Sequence, residues 1–81
     1  MKDKTIITFS VLTGHGRRYA WRFAGSGLDE RVGDFGTLAG AVDNAYYQHP
    51  GCQIVYCQSN GNRTMIAPAG GTPRDTRTVE V

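Results

Sequence analysis

Gln53-Ile54-Val55-Tyr56-Cys57, the pair Asn60-Gly61, and Arg63-Thr64-Met65-Ile66-Ala67 together form the stretch that decides the fold. Two short runs rich in β-branched and aromatic residues flank a dipeptide that readily takes φ > 0 at both positions. The expected structure is a tight hairpin closed by a type I′ turn at Asn60-Gly61. Both faces of this hairpin are apolar. Alternation groups Ile54, Tyr56 and Met65 on one face and Val55, Cys57 and Ile66 on the other. Which group meets the rest of the core is left open by the pattern.

Upstream, Pro50-Gly51 ends a helix whose apolar stripe is Leu38, Ala41, Val42, Ala45 and Tyr46, at spacings i, i+3, i+4, i+7 and i+8. Thr37 is the expected N-cap, and Phe35 is placed to staple back onto the first turn. The polar stretch 28–36 has no periodicity and reads as a connection. Before it, residues 5–12 and 17–24 alternate as strands joined through Thr13-Gly14-His15-Gly16. Ile7, Phe9 and Val11 share one face of the first strand; Tyr19, Trp21 and Phe23 share one face of the second. An antiparallel hairpin is expected to bring these two sets to the same side, beneath the helix. Small alanines on the helix stripe would allow a close approach to the aromatics. Downstream, residues 68–73 form a loop, and 76–81 alternate as a candidate last edge strand.

The fold class that follows is α+β. An antiparallel sheet of four to five strands (hairpin, helix, hairpin and the C-terminal candidate strand) carries one helix on one face. All of residues 1–81 belong to one domain. A chain of this size buries only roughly 60–65% of its unfolded surface, too little for a deeply buried cofactor. Hydrophobic residues at 40% and charged residues at 20% describe an ordinary globule. No run reaches the ~20 apolar residues that span a bilayer, so no membrane partner is expected. Met1-Lys2-Asp3-Lys4 leads into a strand without an apolar h-region, so a cytoplasmic location is expected. The net charge of +2 is too weak to imply nucleic-acid binding by itself.

The residues that carry chemistry are sparse. His49, Cys52 and Cys57, with His15, resemble part of a zinc site, but their spacing fits no common knuckle. They read as a capping histidine and free packed thiols. Cys52 and Cys57 on one strand stand about 15 Å apart, against the ~7 Å limit for a disulfide. No Ser or Cys sits in a pattern with a His and an orienting group, so no catalytic residue is assigned and no enzyme is expected. Asp29, Glu30, Asp34 and Asp43 read as solvated charge. Gly14-His15-Gly16 and Gly25-Ser26-Gly27 lack the Lys-Ser/Thr of a phosphate loop. No metal and no cofactor are expected.

The basic residues offer a binding surface instead. Arg18 and Arg22 share the outward face of the second strand, with Arg17 at its start. Lys4 lies at the foot of the neighbouring strand, and Arg63 just past the Asn-Gly turn. Spaced arginines on a sheet can grip phosphates or carboxylates. Tyr47 lies about 180° around the helix from the stripe and is expected to be exposed, as an interface anchor often is. The expected binding residues are therefore Arg17, Arg18, Arg22, Tyr47, Arg63 and Lys4.

With strands near 5–12, 17–24, 53–58 and 63–67 around a helix at 38–48, the layout resembles the small phage-borne anti-CRISPR proteins. The resemblance covers the whole chain as layout and rests on no shared residue motif, so it transfers no functional residue. It implies a non-enzymatic inhibitor in a bacterial host, binding a subunit of a CRISPR effector complex and blocking target DNA recognition. A second reading is a small nucleic-acid-binding module using the basic sheet face. A third is a homo-oligomeric assembly protein, a homodimer included, that pairs through an edge strand.

Overall fold

The computed structural model describes residues 4–79. Strand β1 (Thr5–Thr13) and strand β2 (Gly16–Phe23) pair antiparallel, with only Gly14 and His15 between the partners Thr13 and Gly16. That two-residue link decides every facing pair beyond it, because odd positions of β1 then oppose even positions of β2. Ile7 faces Arg22, Phe9 faces Ala20 and Val11 faces Arg18, whereas Thr8 faces Trp21 and Ser10 faces Tyr19. The expected joining of Ile7, Phe9 and Val11 with Tyr19, Trp21 and Phe23 is thus corrected: the two sets lie on opposite sides of the sheet. Beneath the helix β1 instead contributes Ile6 and Thr8, both fully buried. The Thr8 hydroxyl donates to the Val55 carbonyl at 3.0 Å, which satisfies it in the core.

The stretch 28–36 is more than a connection. After one 3₁₀ turn (Leu28–Glu30), strand β3 (Val32–Phe35) pairs antiparallel with β2, with a register shift between Tyr19 and Trp21. Gly33 takes φ 95°, and the Phe35 ring occupies the space that a Cβ there would need. The glycine lets Phe35 fold back against the core. Helix α1 (Leu38–Gln48) follows, with the Thr37 side chain accepting from the Gly40 N–H. Leu38, Ala41, Val42 and Ala45 are buried, and Tyr46 packs at the margin, as the stripe predicts. Trp21 anchors the sheet to the helix: its Nε1 donates to Asn44 Oδ1 at 3.0 Å. The His49 ring stands edge-on to Trp21 and Phe23, with centroids 5.5 and 4.8 Å away.

The chain then enters strand β4 (Gln53–Cys57), parallel to β1, and turns into strand β5 (Arg63–Ala67). The turn differs from the expected type I′. Among the described residues no non-glycine has positive φ, so only Gly61, at 93°, is left-handed. The Gly61 N–H donates to the Gln58 carbonyl at 2.9 Å, and the Gln58 N–H to the Asn62 carbonyl at 2.8 Å. This is a type I turn completed by a left-handed glycine, a three-residue loop. The extra loop residue changes the parity of the hairpin: Val55 faces Met65, so Met65 leaves the side of Ile54 and Tyr56. A bulge between Ile54 and Val55 resets the register to Ile54 opposite Ala67 and turns Ile66 into the core, 1% exposed. The expected grouping of Met65 with Ile54 and Tyr56 and of Ile66 with Val55 and Cys57 is therefore exchanged.

The sheet order is β3-β2-β1-β4-β5. The α+β class with one helix over one face holds. The β3–β2, β2–β1 and β4–β5 pairings are antiparallel, and the β1–β4 pairing is parallel. The fifth strand is β3, not the tail. Thr76–Thr78 form a 3₁₀ turn capped by Asp75, and Val79 inserts into the core. The last part of the candidate edge strand, Glu80 and Val81, lies outside the described residues.

Candidate functional site: the open face of the sheet

The parity of the two hairpins places an apolar set on the face away from α1, where no described element covers it. The central strands contribute Ile7, Phe9 and Val11 from β1 and Val55 and Cys57 from β4; β2 and β5 add Ala20 and Met65. Ile7 and Ala20 are only 6% and 3% exposed there, buried by their neighbours on the same face. Arg22 is one of these neighbours. Its Nη1 donates to the carbonyls of Phe23 and Ser26 at 3.3 and 2.9 Å, and its guanidinium carbon stands 6.0 Å from the centroid of the Phe9 ring. Its Nε is buried without a hydrogen-bond partner among the described residues.

Phe9 and Arg22 separate two hollows along the strands. One, of about 460 Å³, lies over Ile7 and Val55 and is walled by Arg63 and Met65. The other, of about 280 Å³, lies over Val11 and Ala20 and is walled by Arg18, Arg31 and Asp34. Arg18 is fixed in this wall: Nε donates to Asp34 Oδ1 at 2.7 Å and Nη2 to the Asp34 carbonyl at 2.8 Å. A two-point grip of this kind sets the direction of the guanidinium before any partner arrives. Such a face presents directed guanidinium groups around apolar hollows.

Of the six expected binding residues, the structure gathers three on this face: Arg18, Arg22 and Arg63. Arg17 does not join them. It opposes Leu12 on the other side of β2, and its Nη1 donates to Ser10 Oγ at 2.8 Å. Lys4 also lies with the helix-side residues, its ammonium 5.3 Å from the centroid of the Phe23 ring. Tyr47 is 85% exposed on α1, as expected, and therefore on the opposite side of the molecule from Arg18.

Two contributors escaped the sequence reading. Arg31 was hidden in a stretch read as connection, since Gly33 interrupts the alternation of β3. A two-residue Asn60-Gly61 turn groups Met65 with Ile54 and Tyr56, whereas the three-residue loop puts it with Val55. The number of residues between Thr13 and Gly16 was the signal available for the first hairpin. Among the described residues no three His, Cys, Asp or Glu side chains gather as a metal site, and Cys52 and Cys57 are free thiols. No described helix is long and apolar enough to cross a membrane. The chain matches no protein-family model, no curated protein and no solved structure.

Proposed function

We propose that this chain acts by binding, without a chemical step, and that the open sheet face is its contact surface. The apolar centre of that face, half-buried at Phe9, Val11 and Cys57 and exposed at Met65, carries the reading. Parallel strand pairs are usually covered on both faces, and a sheet face left to water usually presents polar residues. Here the outward positions of the two central strands are Ile7, Phe9, Val11, Val55 and Cys57, flanked by arginines held in set directions. An apolar core with an arginine-bearing rim is the anatomy of a protein interface. The resemblance of the sequence layout to small phage-borne anti-CRISPR proteins motivates one specific form, inhibition of a CRISPR effector complex through contact with one of its subunits.

A photo-crosslinking residue introduced at Met65, and separately at Tyr47, tests the surface in a CRISPR-bearing bacterium expressing the chain. Adducts of defined mass are expected from position 65 and not from position 47. The reverse pattern would make the helix the contact surface. A plasmid-challenge assay tests the specific form. Loss of interference with the native chain and its recovery with Arg18→Ala/Arg22→Ala, in a variant whose Trp21 fluorescence shows a retained fold, are expected. Undiminished interference with the native chain removes the CRISPR partner while leaving the contact surface to the crosslinking result.

A further inference from the structure

Resting on the open sheet face as a contact surface, we infer that its occupant is a polypeptide segment with an apolar stripe flanked by carboxylates. Charge is the first reason. Arg18, Arg22, Arg31 and Arg63 frame the face, and among the described residues Asp34 is the one carboxylate lining its two hollows, already bonded to Arg18. On a chain whose net charge is only +2, the positive excess is concentrated there. A partner gains from complementary charge around the apolar centre, and gains specificity from it more than raw affinity.

The apolar hollows supply the second reason. The larger one has Ile7 and Val55 beneath it and Met65, 44% exposed, at its wall, a setting for an aliphatic or aromatic anchor. The two hollows are centred near β4 and near β2, two strand spacings apart, and are displaced by the four residues from Ile7 to Val11. At ordinary strand dimensions this diagonal is about 16 Å. Three helical turns span about the same length. One amphipathic segment can therefore place an apolar side chain in each hollow and lay acidic residues beside Arg31 and Arg63.

Two other occupants fit less well. Nucleic acid bound on a sheet stacks its bases on open aromatic rings. Of the described aromatic residues, Tyr19 borders the smaller hollow but alternates to the helix side, and Phe9, which the register puts on this face, lies beside the Arg22 guanidinium, two of whose bonds are already spent on the chain's own carbonyls. A second copy stacked face to face would set the four arginines against the same four.

The test is selection of displayed random 16-residue peptides on the full chain, repeated on an Arg31→Glu/Arg63→Glu variant. Both substituted positions are exposed, and retention of the fold is checked by Trp21 fluorescence. Enriched peptides are expected to carry Asp or Glu around apolar residues, to shift the amide resonances of Ile7, Val55 and Met65, and to bind the variant about tenfold or more weakly. Enrichment of neutral or basic peptides, or equal binding to the variant, overturns the inference. So do failure to enrich any peptide, tight binding of a 12-nucleotide oligothymidylate to the same amides, and a dimer by light scattering that protects them. Should the peptides fail while crosslinking at Met65 still yields adducts, the acidic chemistry falls and the contact surface stands. Should both fail, the surface falls as well.

Discussion

Ile66→Ala and Met65→Ala, made separately, test the register of the second hairpin, on which the open face depends. Ile66 is 1% exposed and Met65 is 44% exposed, although they are neighbours on one strand. Truncating Ile66 removes three buried carbons at about 0.8 kcal/mol each. The cavity left behind raises the cost to about 3–4 kcal/mol, within the usual range for such core substitutions. Met65 loses only part of a half-exposed side chain, for about 1 kcal/mol or less. Small domains of this length have a total stability of roughly 4–12 kcal/mol, so the first change removes a large fraction and the second does not. Trp21 is the sole tryptophan and is 1% exposed, which makes its fluorescence a reporter of urea unfolding. With a slope near 1 kcal/mol/M, Ile66→Ala should lower the midpoint by about 3–4 M and Met65→Ala by about 1 M or less. A two-residue Asn60-Gly61 turn would put Met65 beside Tyr56 and predicts the opposite order. Equal losses, or a larger loss for Met65→Ala, would refute the three-residue loop, the bulge and the composition of the open face.

Three further outcomes follow from the packing. Asn44→Ala leaves the buried Trp21 indole N–H without its acceptor, and the melting curve should register a loss of about 1–2 kcal/mol; an unchanged melt would show that the bond contributes nothing. Val79 is 7% exposed in the core, so Val79→Ala should cost about 1.5–2.5 kcal/mol in denaturant titration. A tail that did not dock would show no effect. Asp75 caps the last 3₁₀ turn, and hydrogen bonds from the Arg77 side chain and backbone hold its carboxyl below the ordinary value. A depressed carboxyl contributes above its ordinary range and is lost as pH falls through the lower folded value. NMR titration should therefore show the Arg77 and Val79 amides moving with a midpoint below that of an ordinary aspartate, and Asp75→Asn should abolish that movement.

The helix was readable because its signals are local. The Thr37 cap, the stripe from Leu38 to Ala45 and the stop at Pro50-Gly51 all act within a few residues of where they are written. The strand pairs of both hairpins were readable for the same reason, since β-prone runs bounded by turn residues mark themselves. Strand β3 was not, because Gly33 replaces an alternating side chain and its sense appears only once Phe35 has folded over it. The candidate site was half readable: Arg18, Arg22 and Arg63 could be placed on strands, but the side they faced could not.

Sequence alone determined the helix, the four strands of the two hairpins, their order along the chain and the α+β class. Only the tertiary structure decided which face each strand presents, the parallel pairing of β1 with β4, and the docking of Val79 where an edge strand was expected. The physical reason is the two-residue repeat of a strand. Adding or removing one residue in a turn inverts every side chain beyond it at almost no local cost, so local preference cannot decide the matter. Burial of Trp21, Ile54 and Ile66 together against one helix does decide it, and these residues come from three separate strands. The open face, with its arginines and hollows, is what remains on the other side once that choice has been made.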